Sequence, residues 1–157
     1  MDSKILDKFT IHLKNALKKA NELANSLNHQ LVNPEHLIYG LILQKGSIAA
    51  EILTKVGLNA ERVRSLVVQS NKPVASENSQ IKDRKVISSL PTKKTIEKAA
   101  LIAHQNGHKY VGTEHLLYGL IQINTSTLID LWESNRVNLN KLRSHLDTVM
   151  RLSLIHI

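Results

Sequence analysis

The sequence predicts an all-α protein of eight helices, arranged as two pseudo-symmetric repeats of four. Three observations carry this. The phrase VNPEHLIYGLI at residues 32–42 returns as VGTEHLLYGLI at residues 111–121. Applying the 79-residue step between Glu35 and Glu114 to the chain aligns 10–70 with 89–149 without a gap. It makes 17 of the 61 positions identical, where chance gives only a few. Apolar residues recur at helical spacing, and no alternating strand pattern competes. Such a duplication is read before any single motif, because it fixes which residues are equivalent.

The elements follow in order. Phe9, Leu13, Ala16, Leu17, Ala20, Ala24 and Leu27 form one apolar stripe, the first helix. Asn28 ends it, and Gly107 ends its counterpart, since both residues accept the left-handed conformation. The second helix begins at NPEHL, where Asn33 is a good cap and Pro34 suits the first turn. SIAAEILTKVG makes a third helix stopped by Gly57, and NAERVRSLVV makes a fourth. In the second copy Trp132 stands at the place of Leu53, and Arg136 at that of Gly57, which predicts a different turn there. Between the copies a polar stretch without periodicity reads as a linker. The expected division is one domain over residues 1–152. Repeat one is 9–70, the linker 71–88 and repeat two 89–150. The tail at 153–157 continues neither the repeat nor a charged linker.

A chain of 157 residues can bury a real core without staples. It has no Cys, which excludes disulfides and thiolate metal sites. The first residues lack the apolar run of a signal peptide, and no stretch approaches the ~18–20 apolar residues of a membrane span, so a cytoplasmic protein without membrane contact is expected. Lys and Arg number 21 against 13 Asp and Glu, a formal charge of +8. That invites a nucleic-acid or anionic partner. The charges are scattered, however, and 3% aromatics leave few stacking platforms for bases, so solvated faces are the better reading.

Phe9-Thr10, the Ala-rich first helix, HKYVGTEHLLYGLI and VGLNAERVRSLV together resemble the Clp N-terminal domain family, closest to its ClpC type. The resemblance covers roughly residues 9–152. It implies a double Clp repeat that receives substrates and adaptor proteins for a ring ATPase, which unfolds them for a protease or disaggregates them. It equally allows a stand-alone regulatory protein that binds the Clp ring or its protease. No GxxxxGK[ST] phrase is present, so no ATPase activity is expected of these residues.

In ClpC-type domains of some bacteria, glutamates of the EHLL phrase grip the guanidinium of phosphoarginine. The resemblance therefore implies Glu35 and Glu114 as ligand-binding residues. The phosphate would lie near Thr10 and Ser89, with Lys14 and Lys93 adding charge and Thr113 joining the second site. A carboxylate matches the planar guanidinium fork, and helix-start amides with a hydroxyl match a phosphate. Each site is expected within one repeat: Glu114 with Ser89 and Lys93, Glu35 with Thr10 and Lys14. Both glutamates should be at least partly exposed. The first site should be weaker, because Pro34 lacks an amide hydrogen. Pro91, two residues after Ser89, predicts a shifted helix start there. A purely structural reading is available too: each Glu sits in a first helical turn, where the helix dipole favours a carboxylate by ~0.3–1 kcal/mol.

His36 and His115 follow these glutamates, but HExxH is absent and no third ligand is suitably spaced. A buried or capping role is expected, with no metal and no cofactor. Tyr39 and Tyr118 share the helical face of the glutamates and would wall a pocket or pack. Gly40 and Gly119 would allow close helix contact, since Gly inside a helix otherwise costs ~1 kcal/mol against Ala. No nucleophile with an activating base can be placed, so no catalytic residue is assigned.

Overall fold

The first helix of each repeat starts at a hydroxyl cap. The computed structural model of the chain describes residues 6–74 and 86–155, with side chains through 152. Residues 75–85 of the expected linker and 156–157 of the tail lie outside the described residues. Helix α1 (Ile11–Ser26) begins at Thr10, whose Oγ1 accepts from the Leu13 amide at 3.1 Å. It ends where Asn28 turns left-handed, φ 59°. The pair β1 (Leu31–Val32) leads into α2 (Pro34–Leu43). Then come α3 (Ile48–Lys55), capped by Ser47, and α4 (Ala60–Ser70), capped by Asn59.

Repeat two follows the same order. After β2 (Ile87–Ser88) come α5 (Leu90–Gln105), α6 (Thr113–Ile121), α7 (Ser126–Ser134) and α8 (Leu139–Ile155). The eight-helix expectation holds for the described residues. Helix α8 runs into the stretch that the sequence set aside as a tail, and β2 occupies the end of the expected linker.

Four local expectations need correction. Ser89 caps α5 as Thr10 caps α1, so Pro91 does not shift the start; it sits in the first turn, where no intrahelical N–H is needed. Arg136 keeps the turn of Gly57, adopting φ 54° where Gly57 has φ 96°. The following amides confirm the match: Val137 N donates to Trp132 O at 2.9 Å, as Leu58 N does to Leu53 O at 3.1 Å. Asn33 stands at the N-cap of α2 but makes no side-chain cap bond to the helix; its Nδ2 donates to Asn71 Oδ1 at 2.7 Å. Short strands exist where none was expected, because their pairing partners lie in opposite repeats.

That pairing joins the halves. Leu31 pairs with Ile87 and Val32 with Ser88, in parallel, while Phe9 bridges Val111. Moving Phe9 and Val111 by the repeat step gives Ser88 and Val32, so the bridges are one contact written twice. The flanking bonds agree: Thr10 N donates to Val111 O at 2.9 Å, and Ser89 N to Val32 O at 3.0 Å. The segment before the first helix of each repeat thus pairs with the segment before the second helix of the other.

The core is continuous across both repeats, with Leu13, Ile38, Leu41, Leu53, Leu116, Leu120, Leu131 and Leu146 fully enclosed. Within each repeat the first two helices cross at glycine. A Cβ on Gly40 would collide with the Ala16 carbonyl, and one on Gly119 would lie 3.2 Å from the Thr95 carbonyl. No single described helix is long and apolar enough to cross a membrane. The bent pair of α2 and α3, which passes by composition, is largely core.

Candidate functional site

The EHLI phrase of repeat one and the EHLL phrase of repeat two both enter their helices through a histidine cap. The Asn33 amide donates to His36 Nδ1 at 2.9 Å, and the Gly112 amide to His115 Nδ1 at 2.9 Å. An N–H can only donate, so each ring keeps its proton on Nε2. His36 Nε2 then donates to His29 Nδ1 at 2.9 Å, and His115 Nε2 to His108 Nδ1 at 2.7 Å. His108 passes the chain on to the Met150 carbonyl at 3.2 Å, tying α8 to this turn. All four rings are buried. Burial, and the second ring beside each, pull His36 and His115 down to about 4. The histidines are structural, as their spacing indicated.

Glu35 and Glu114 lie in the first turns of α2 and α6 and are 4% and 3% exposed. This corrects the expectation of exposure. Burial raises both carboxyl pKa values, opposed by each residue's own amide at the helix start. Their remaining partners differ. Asn71 Nδ2 donates to Glu35 Oε2 at 3.0 Å, whereas Glu114 has the Tyr110 hydroxyl and lies within the field of His108. The difference traces to one position. Gly112 leaves room for the Glu114 carboxylate, which a Cβ there would strike. Asn33, in the same place, holds Asn71 against Glu35. Sequence reasoning missed Asn71 and Tyr110, which lie in the expected linker and in a turn. Tyr110 replaces Leu31 in the alignment, and that swap was the available signal.

The hydroxyls expected at the phosphate end are occupied as caps. Thr10 is half-buried under the Leu13 amide. Ser89 is buried, accepts from Thr92 N at 3.4 Å and donates to Thr92 Oγ1 at 3.0 Å. Thr113 is buried too, and its Oγ1 accepts from the Ala49 amide of the other repeat at 3.3 Å. Lys14 and Lys93 are exposed. Tyr118 does not wall a Glu114 pocket: its hydroxyl accepts from Arg143 Nε at 3.0 Å.

The backbone bridges bring the first-helix caps of each repeat beside the turn of the other. The Thr10 amide donates to the Val111 carbonyl, which sets the start of α1 beside the turn that leads into Glu114. The Ser89 amide donates to the Val32 carbonyl, which sets the start of α5 beside the turn into Glu35. Near the same bridges the chain exposes apolar side chains. Ile11 and Leu90, equivalent first residues of α1 and α5, are 72% and 63% exposed. Leu31 and Ile87, paired in register, are 41% and 49% exposed.

The family model described as Clp repeat (R) N-terminal domain matches residues 8–135 and 88–152. The Bacillus subtilis protein named negative regulator of genetic competence ClpC/MecB is 35% identical over 137 residues, 87% of this chain and 16% of that protein. A chaperone protein ClpB of Oceanobacillus iheyensis is 32% identical over 141 residues, again 87% of this chain and 16% of the relative. The chain therefore spans about one sixth of the curated relatives it matches. Among solved structures, the N-terminal domain of ClpD from Arabidopsis thaliana superposes with a TM-score of 0.76 at 20% identity, covering 96% of this chain and 99% of that one. A complex of a ClpV N-domain with a VipB peptide superposes at 0.70 and 17% identity, covering 94% and 90%.

Proposed function

The chain belongs to the Clp repeat N-terminal domain family, and we propose that it is a substrate- and adaptor-docking module of a Clp-type chaperone or protease system. The observation that carries this is the matched pair of exposed apolar residues, Ile11 and Leu90, at the starts of the two first helices. With Leu31 and Ile87 they leave apolar surface on one side of each bridge, where a folded chain ordinarily covers it. The counterpart of the Leu31–Ile87–Leu90 side carries Tyr110, Lys8 and Ile11, so the two sides offer one apolar and one mixed surface. A polypeptide segment with spaced apolar side chains fits both. A peptide held by a domain of the same fold adds support.

Binding of a fluorescent, reduced and carboxymethylated α-lactalbumin, followed by anisotropy, tests this. Covering one large apolar side chain is worth ~1.5–3 kcal/mol, roughly ten- to a hundredfold in affinity. Ile11→Ser and Leu90→Ser should each weaken binding by about tenfold with circular dichroism unchanged. Unchanged affinity in both would overturn the docking face.

Phosphoarginine is a finer reading of the same region. Its support is the crossed bridging that sets the start of α1, with Thr10, beside the turn into Glu114, and the start of α5, with Ser89, beside the turn into Glu35. Burial of the carboxylates sets the condition: the guanidinium binds only as Glu35 or Glu114 leaves its helix-start position. Losing a charge-assisted hydrogen bond costs ~1.5–3 kcal/mol. Glu114→Ala should therefore weaken a phosphoarginine peptide ten- to a hundredfold by calorimetry, and Glu35→Ala less, beside Pro34. Equal binding of the unmodified arginine peptide, or no binding to the wild type, would remove the mark and leave the docking face standing.

A further inference from the structure

The repeats diverge most usefully at the place where the first, second and fourth helices meet. Lys19 and Lys98 are equivalent and identical, as are Arg64 and Arg143. In repeat one Lys19 is occupied: its Nζ donates to Gln44 Oε1 at 2.7 Å and to the Leu43 carbonyl at 3.4 Å, closing the end of α2. In repeat two Ile123 replaces Gln44, so that acceptor is gone. Glu61, which puts a negative charge beside this region in repeat one, is replaced by the neutral Asn140. Among the described residues Lys98 makes no hydrogen bond or ion pair.

What results is a concavity of about 460 Å³ walled by Lys98, Ile121, Gln122, Leu139, Asn140 and Arg143. No carboxylate lines it. Arg143 is held in a fixed pose, its Nε donating to Tyr118 Oη at 3.0 Å and its guanidinium carbon 5.7 Å from the Tyr118 ring centroid. Both terminal nitrogens remain as a preset fork, the geometry that takes a carboxylate through two parallel bonds. The nearest acid along the helix, Asp147, forms no ion pair with Arg143. Lys98 supplies a second cation and Asn140 and Gln122 supply amides. Ile121 and Leu139 form an apolar wall beside them.

We propose that this concavity binds a carboxylate on a partner polypeptide, next to an apolar side chain that lies on Ile121 and Leu139. It is a second contact for the docking module, separate from the apolar surface at the bridges. Lys98 lies eight residues along α5 from Leu90, about 12 Å. Repeat one lacks the site, because Gln44 occupies Lys19 and Glu61 puts a carboxylate where repeat two has Asn140. The carboxylate can come from a Glu side chain or from a chain terminus, and the charge logic is the same for both.

The test is an ¹⁵N NMR titration of the full chain with a short acetylated and amidated peptide of Leu-Glu-Gly units. Three comparisons accompany it: the Leu-Gln-Gly peptide, the same Gln peptide with a free carboxyl end, and sodium phosphate. The Leu-Glu-Gly peptide should shift the amides of Gln122, Asn140 and Arg143. Its affinity should fall at least tenfold in Lys98→Gln, in Arg143→Gln and in Asn140→Glu, which restores the repeat-one charge at an exposed position. Binding of the free-ended Gln peptide alone would assign the carboxylate to a chain terminus, within the proposal. Equal binding of the amidated Gln peptide, or tighter binding of phosphate than of any peptide, would overturn it. So would shifts confined to Leu31 and Ile87, which would mean that the peptide occupies the apolar surface instead; failure of that surface would leave the Arg143 shifts in place.

Discussion

Arg136 and the buried histidines show how single residues carry costs that the fold imposes. Arg136 holds φ 54° because the turn it inherits from the repeat demands it. A left-handed conformation costs a side-chain-bearing residue about 1–2 kcal/mol, and Gly escapes this while losing more backbone freedom on folding. Arg136→Gly should therefore raise stability by about 0.5–1 kcal/mol, read as a higher thermal midpoint; a lower midpoint would mean that the Arg side chain contributes packing of its own. For the histidines the sign is set by proton linkage. His36 and His115 are held near 4 when folded, against an ordinary 6.5. Their neutral forms stabilise the fold fully above pH 6.5, and that contribution is lost as pH falls toward 4. Each shift of this size corresponds to roughly 3 kcal/mol at its limit. Glu35 and Glu114 act in the opposite direction. Their raised pKa values let the folded state take up protons first, so acidification down to about 4.5 restores part of the loss. The net expectation is a urea midpoint that falls between pH 6.5 and 5, with a shallower slope in His115→Gln. A flat profile would contradict the buried neutral pair.

At the scale of elements, the glycines in the second helices are where the repeat pattern translates most directly into packing. α2 crosses α1 where a Cβ on Gly40 would meet the backbone of Ala16 and Ala20, and backbone cannot step aside. α6 crosses α5 at the equivalent place, with Gly119 slightly farther from Thr95 and Ala99. Gly40→Ala should destabilise by about 1–3 kcal/mol, the usual cost of overpacking. Gly119→Ala should cost less, since its gain in helix propensity, about 1 kcal/mol, offsets a milder contact. Equal unfolding midpoints for the two variants would refute this geometry. The same positions show what could be read in advance. Helix number, helix order and the Gly contacts follow from periodicity and from the 17 repeated identities, because both record local structure and core faces. The short parallel strands were not readable, since two-residue segments have no period and their partners lie in the other repeat. The burial of Glu35 and Glu114 was hidden for a related reason. A first-turn Glu reads as exposed until Asn71, Tyr110 and the room above Gly112 are brought to it by tertiary contacts. Conversely, the left-handed Arg136 was misjudged because a repeat's geometry outweighed the preference of the residue placed in it.

For the molecule as a whole, the two repeats are halves of one folding unit and not two units in series. Their bridges are reciprocal, Phe9 with Val111 and Val32 with Ser88, so each half lacks the partner for its own entry segments. Thr113 caps the amide of Ala49 across the same boundary, and α2 packs on α5, α6 and α7 as well as on its own repeat. The apolar surface of Leu41, Leu53, Leu116 and Leu120 belongs to one cluster with members from both sides. Separating the halves would expose this surface and exchange the bridge hydrogen bonds for bonds to water, a net loss of about 0.5–1.5 kcal/mol each. Connection through residues 75–85 contributes differently: it raises the effective concentration of one half near the other, to about millimolar for a short tether. A protease site inserted at 75–85 and then cut should therefore leave the halves associated. Native size exclusion should give one species at the 17.6 kDa of the intact chain, increased by the insertion, and denaturing electrophoresis should give two. The cut protein should unfold at lower urea, and its midpoint should rise with protein concentration as bimolecular assembly requires. Either half expressed alone should lack a cooperative transition. If the cut halves separated in buffer and each melted cooperatively, the crossed bridges would be a contact between two independent domains, and each repeat would have to supply its own docking surface.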